Sequence, residues 1–361
     1  IYSQKDEPVI SESIGKQFLP VGSYPVGIGI NSVTNKLYVA NQFSNTVTVL
    51  DGNTNNIEST IQVDNFPYDL EVNPYNNRIY VTNRGSNTVS VIDGSTNQLL
   101  SNINVGESPV GISINPSENR IYVTNLGKNS SLSIIDGISN KVTGNVELNG
   151  LFYGVSVNPL TKTIYLSNIK NHTISVLDEK TKNIVNNISV ERIPTGININ
   201  YKSNLIYVTN YLSNSISVID GKTNKVNSTI KVGQQPVDII INPLTNKIYV
   251  SNIGDNTVSV IDGTTNKKIK DLSVKPNTDK NNGNNDPILD IPINLNFPLL
   301  ANKLSLNPAT NLIYITNTVA NGVLVIDGKT DRVVVQLFVE INPENAGTIE
   351  CNNTKVPTQS F

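Results

Sequence analysis

The chain has 361 residues and a formal net charge of −2, from 27 Lys+Arg against 29 Asp+Glu, so no overall positive field favours nucleic acid or an anionic membrane. One His, one Cys (Cys351) and no Met or Trp exclude a multi-histidine metal centre, a thiol-rich zinc site and an internal disulfide within the chain. No apolar run reaches the ~20 residues that span a bilayer, no secretory leader pattern opens the sequence, and Ile1 reads as a processed or trimmed start.

Residues 1–13 read as an N-terminal extension, and a repeat occupies 14–340. Tyr-Val-Thr-Asn or a close variant begins at Tyr38, Tyr80, Tyr122, Tyr165, Tyr207, Tyr249 and Tyr314, at spacings of 42, 42, 43, 42, 42 and 65 residues. An Asp follows thirteen residues after six of these (Asp51, Asp93, Asp178, Asp220, Asp262, Asp327) and fourteen after the third (Asp136). Asn31, Asn73, Asn115, Asn158, Asn200, Asn242 and Asn307 keep the same register. Three markers in one register define seven units.

Each unit reads as four short strands, exemplified by 111–115, 121–125, 89–93 and the looser 226–232. Alternation such as Val258-Ser259-Val260 and the weight of β-branched residues support strands. Asn242-Pro243-Leu244-Thr245-Asn246 and Asp262-Gly263-Thr264-Thr265-Asn266 place turn formers between them. Copies of this turn set account for much of the 57 Asn. Four strands in about 42 residues, seven times over, predict an all-β, seven-bladed β-propeller of four-stranded antiparallel blades.

Tyr80-Val81-Thr82-Asn83, followed by Ser86-Asn87-Thr88-Val89-Ser90-Val91-Ile92-Asp93-Gly94, resembles the YVTN-type β-propeller repeat family. That family is typical of archaeal surface-layer and other cell-surface proteins, so the resemblance implies an extracellular location. It covers about residues 14–340. The fourth unit departs from it, with Leu151-Phe152-Tyr153 where other units carry Pro-Val.

The long spacing places an insertion at about 275–300, between the sixth and seventh units, expected to lie over one face of the ring. Its Asp279, Asn281, Asn285 and Asp286 offer hard oxygen ligands for Ca²⁺, although the spacing is not that of an EF-hand and an ordinary polar loop explains the same residues. At the start of the innermost strands come Gly27, Asp69, Gly111, Gly154, Gly196, Asp238 and Lys303, and two residues later Gly29, Glu71, Ser113, Ser156, Asn198, Ile240 and Ser305. Asp69, Glu71, Asp238 and Lys303 are therefore a candidate polar ligand site at the channel mouth; small or solvated residues where strands converge are the plainer alternative. His172 fills the slot of Asn45, Asn87, Asn214 and Asn256 and reads as a turn residue, with no local acid to orient it as a base.

Asn129, Asn171, Asn187, Asn227 and Asn352 head Asn-x-Ser/Thr sequons and are glycosylation candidates on a surface protein. Two segments, 14–21 and 333–339, compete as the outermost strand that closes the ring; the surplus one could pair with a neighbouring molecule. The 341–361 tail leaves the repeat register, and Cys351 resembles the opening of a further small β-module of a longer protein. The expected function is a non-catalytic binding or assembly platform for protein or surface-glycan partners, with no nucleic acid, no cofactor except a candidate Ca²⁺, and no membrane-spanning segment. The alternative is a propeller lyase or a metal- or cofactor-dependent oxidoreductase with its site at the channel mouth.

Overall fold

Each repeat folds into four antiparallel strands in sequence order, and the computed structural model, which describes residues 21–275, 302–318 and 322–337, contains seven such sheets. In the first blade the strands are Pro25–Asn31, Lys36–Asn41, Thr46–Asp51 and Ile57–Gln62, from the axis outward. The fold is the seven-bladed β-propeller that the repeat predicts. The fourth strand of blade seven is Arg332–Leu337, so among the described residues each blade supplies its own outermost strand.

Period-two alternation sends successive side chains to opposite neighbours. Leu37 and Val39 pack on Tyr314, Val323 and Val325 of blade seven, closing the ring, while Tyr38 and Ala40 pack on Leu70, Ile79 and Val81 of blade two. The second and third strands are therefore buried on both faces and rich in apolar residues on each. Only the outer strands alternate buried with exposed, as in Ile57–Gln62.

The polar letters of the repeat join neighbouring blades. The inner strand departs from regular pairing near its third residue, and the Thr of Tyr-Val-Thr-Asn accepts the N–H exposed there. Thr124 Oγ1 accepts from Gly111 N (3.0 Å) and donates to Tyr153 O of the next blade (2.6 Å). Thr316 Oγ1 does the same between Lys303 N (2.9 Å) and Val26 O (2.8 Å), across the closure of the ring. Thr124→Val is expected to cost about 1–3 kcal/mol, because it leaves buried backbone groups unpaired; thermal unfolding of the variant checks this.

A second set of bonds runs around the ring. In six of the seven blades the Asn ending the inner strand donates through Nδ2 to the Asn preceding the second strand of the next blade: Asn31 to Asn77, Asn73 to Asn119, Asn158 to Asn204, Asn200 to Asn246, Asn242 to Asn311, and Asn307 back to Asn35. The acceptors all hold φ of 50–58°, the left-handed region that Asn tolerates well. The Asp of each third strand caps its turn, as Asp51 Oδ1 does for the N–H groups of Asn53 and Thr54 (both 2.8 Å). These bonds hold the Asp51 carboxyl below the usual range.

The N-terminal extension, the edge-strand candidate 14–21 up to its last residue, the Ca²⁺ candidates Asp279, Asn281, Asn285 and Asp286, the sequon Asn352 and Cys351 lie outside the described residues. No helix is long and apolar enough to cross a membrane among the described residues.

Candidate functional site

The inner strands Pro25–Asn31, Pro67–Asn73, Pro109–Asn115, Phe152–Asn158, Pro194–Asn200, Pro236–Asn242 and Leu304–Asn307 surround a cavity of about 510 Å³ on the axis. All four channel candidates line it. Lys303 Nζ lies 3.0 Å from Asp69 Oδ2 and 3.8 Å from Asp238 Oδ1, placing one ammonium between two carboxylates. Backbone N–H groups anchor both acids: Leu70 donates to Asp69 Oδ1 (3.0 Å) and Leu304 to Asp238 Oδ2 (2.8 Å).

This triad is largely shielded from solvent in the channel lining; Asp69 is only 8% exposed. Burial raises the pKa of both Asp69 and Asp238, against the pull of Lys303. Burial alone would lower that of Lys303, but the two carboxylates outweigh it and hold the ammonium charged. The two aspartates thus enclose an ammonium, and among the described residues no three His, Cys, Asp or Glu side chains converge to hold a metal ion.

Glu71 stands one pleat further along and makes no ion pair among the described residues. Its side chain is exposed to the lumen, yet the encircling wall desolvates it and Asp69 adds repulsion, pushing its pKa up to about 8. Water in the lumen moderates the effect; the upward direction follows from the geometry.

Next to the triad, Tyr68 and Tyr153 meet edge to face with their hydroxyls hydrogen-bonded, both buried among Val26, Val110 and Ile169. Tyr153 belongs to the divergent Leu-Phe-Tyr segment, and Tyr68 stands where other inner strands carry Val26, Val110 or Val237. Both were legible as departures within one repeat column, but their meeting was not. At the opposite end the cavity is bordered by the exposed Tyr75 and Tyr201.

On the face bearing the second-to-third-strand turns, Tyr24, Phe43 and Phe66 form an aromatic ladder. Tyr24 and Phe43 centroids are 4.5 Å apart, and Phe43 meets Phe66 edge-on at 6.3 Å. Phe43 is 53% and Phe66 46% exposed. His172 sits in a turn on this face with φ 56°, and its Nδ1 accepts from Ile193 N (3.2 Å) as Asn87 Oδ1 accepts from Ser108 N (2.8 Å). It serves as a turn residue. The sequon residues Asn129, Asn171, Asn187 and Asn227 are all exposed.

Blade four departs from the ring of Asn bonds. Lys162 replaces the acceptor Asn, and Glu179 replaces the Gly that follows the turn Asp elsewhere. Buried Glu179 accepts through Oε1 from Asn115 Nδ2 (2.8 Å) and from Tyr122 Oη, restoring the missing link. Beside it lies a second cavity of about 360 Å³, lined by Glu118, Arg120, Lys162, Glu179, Lys180 and Lys182.

A sequence model of the YNCE-like beta-propeller matches residues 75–279, more than half of the chain. No curated protein matches. Among solved structures, hydrazine synthase of Kuenenia stuttgartiensis superposes with a TM-score of 0.71 at 18% identity, covering 89% of this chain and 99% of that one. A functionally unknown protein from Desulfotomaculum acetoxidans DSM 771 gives 0.70 at 15% identity, covering 84% of this chain and 95% of that one. At such identities the likeness shows the fold alone.

Proposed function

The chain belongs to the YNCE-like β-propeller family, and from that premise we propose that it is a non-catalytic binding and assembly platform of the cell surface. The observation that carries this reading is the aromatic ladder on one face. Tyr24 and Phe66 hold φ of 62° and 54° directly before a proline, a conformation that strains bulky side chains by ~1–3 kcal/mol. Asn or Gly would relieve that strain. Keeping large aromatics there, Phe66 exposed and Tyr24 half-buried, serves contact, and aromatic anchors dominate protein interfaces.

Two further observations support a platform over an enzyme. Deep in the channel Lys303 is held as an ion-pair partner between Asp69 and Asp238, and the single His is committed to a turn. The exposed sequons suit a glycosylated surface protein. The partner is a protein or glycan of the envelope, with stacking on Phe43 and Phe66 as the central contact.

Fluorescently labelled protein, titrated onto intact cells of the source organism, is expected to bind saturably. Phe43→Ser combined with Phe66→Ser should weaken that binding by at least about tenfold with little change in thermal stability, since both rings are largely exposed. Absence of saturable binding by the unaltered protein would overturn the platform reading.

A further inference from the structure

The channel cavity carries an excess of negative charge that its own lysine does not balance. Asp69 and Asp238 share the single ammonium of Lys303, and Glu71 adds a third carboxyl without an ion-pair partner among the described residues. We propose that the channel is a binding site for a small organic cation, an ammonium-ended molecule whose nitrogen is held by Glu71. This inference does not rest on the cell-surface reading.

The geometry favours an organic cation over a metal ion. Lys303 occupies the space between the two aspartates and would repel a divalent ion, and no three acidic or imidazole ligands converge among the described residues. The volume of about 510 Å³ falls in the range of small-molecule sites. Around Glu71 the lining is uncharged and able to hydrogen-bond, with Ser156, Asn198 and Ser305 at the same level of the ring. Exposed Tyr75 and Tyr201 border the open end, and aromatic rings at a site mouth attract cations. Low-dielectric walls of one net sign concentrate ions of the opposite sign in such a cleft.

Binding should be coupled to protons. The groups that act on Glu71 are Asp69 on its own strand, Lys303 and Asp238 across the channel, and Tyr201 at the open end. The flanking inner strands contribute Gly27, Gly29, Gly111 and Ser113, none of which titrates. A Glu71 carboxyl with a pKa of about 8 is largely protonated at pH 6 and ionises through mildly alkaline pH. An ammonium ligand favours the ionised form, so affinity rises with pH and binding near neutrality releases a proton.

Isothermal titration of the protein with 1,4-diaminobutane tests this, with 1,4-butanediol and succinate as length-matched neutral and anionic controls. The expected result is saturable binding of the diamine alone, tightening at least about tenfold between pH 6 and pH 8.5. Glu71→Gln should weaken the pH 8.5 affinity by about tenfold or more and flatten the pH dependence. Glu71→Ser, which copies Ser113 and Ser156 at that level, should do the same if the amide variant folds poorly. No saturable binding of the diamine at millimolar concentration, equal binding of either control, or unchanged affinity and pH profile in a folded Glu71 variant would each overturn the proposal.

Discussion

Replacing Glu179 by Gly, the residue every other blade carries after its turn Asp, is expected to destabilise the protein by about 2–4 kcal/mol. The change strands two buried donors, Asn115 Nδ2 and Tyr122 Oη, that have Glu179 as their acceptor; a buried polar group left unpaired costs about 1–3 kcal/mol. Lys162→Asn alone should also destabilise. In the other blades a Cβ at the Gly position would fall 2.5 Å (Gly52), 2.1 Å (Gly94), 2.4 Å (Gly137), 2.7 Å (Gly221) and 2.6 Å (Gly328) from the Oδ1 of the acceptor Asn. An Asn at 162 and a side chain at 179 thus compete for one space. Together, Lys162→Asn and Glu179→Gly rebuild the standard link, and the double variant should return to near the original stability. Thermal unfolding of the four proteins measures the coupling, with each single variant lower by roughly 5–10 °C. Additive losses in the double variant would show that Glu179 does not substitute for the missing Asn.

The second large effect is expected at Lys303. Lys303→Met leaves Asp69 and Asp238 in the channel without their counter-charge, and breaking a buried ion pair on one side costs about 3–5 kcal/mol. The loss must depend on pH. Burial already holds the folded pKa of both aspartates above the ordinary value, and removing the ammonium raises them further. Well below pH 4 both acids are protonated in the folded and unfolded chains alike, and at pH 4 the unfolded acids are only about half ionised, so original and variant differ little there. As pH rises through the unfolded carboxylate range, the unfolded chain ionises freely while the folded variant resists, and the stability gap opens. Adding Asp69→Asn and Asp238→Asn should close it, because no uncompensated buried charge then remains. Denaturation curves at pH 4 and pH 8 decide the matter; an equal deficit at both values would mean that Lys303 acts through packing rather than charge.

The repeat column of Lys303 also shows how far the site could be read in advance. Asp69, Asp238 and Lys303 stand out because glycine fills the third inner-strand position in the other four blades, and Glu71 because no other blade carries a charge two residues later. That they line one cavity follows from ring closure alone. The sequence does not reveal which of them touch. Asp69 and Lys303 are 234 residues apart and meet across the axis, whereas Glu71, two residues from Asp69, faces the lumen alone. Tyr68 and Tyr153 were hidden for the same reason, since their contact spans blades two and four. Glu179 carried a signal, its departure from Gly beside a Lys in place of Asn, but the signal acquires meaning only when the inter-blade bond of Asn115 is seen.

Length and a 42-residue period determined the architecture and its seven units, because blade formation depends on local alternation and turn chemistry that each repeat carries in full. Many of the 57 asparagines, at first a compositional oddity, belong to that local chemistry among the described residues, in turns at positive φ and in the bonds that link the blades. The tertiary structure decided which charges neutralise one another, which acid remains open to a ligand, and how blade four repairs its missing link. Those outcomes depend on distances between residues in different blades. Ring closure sets such distances, and no local pattern records them.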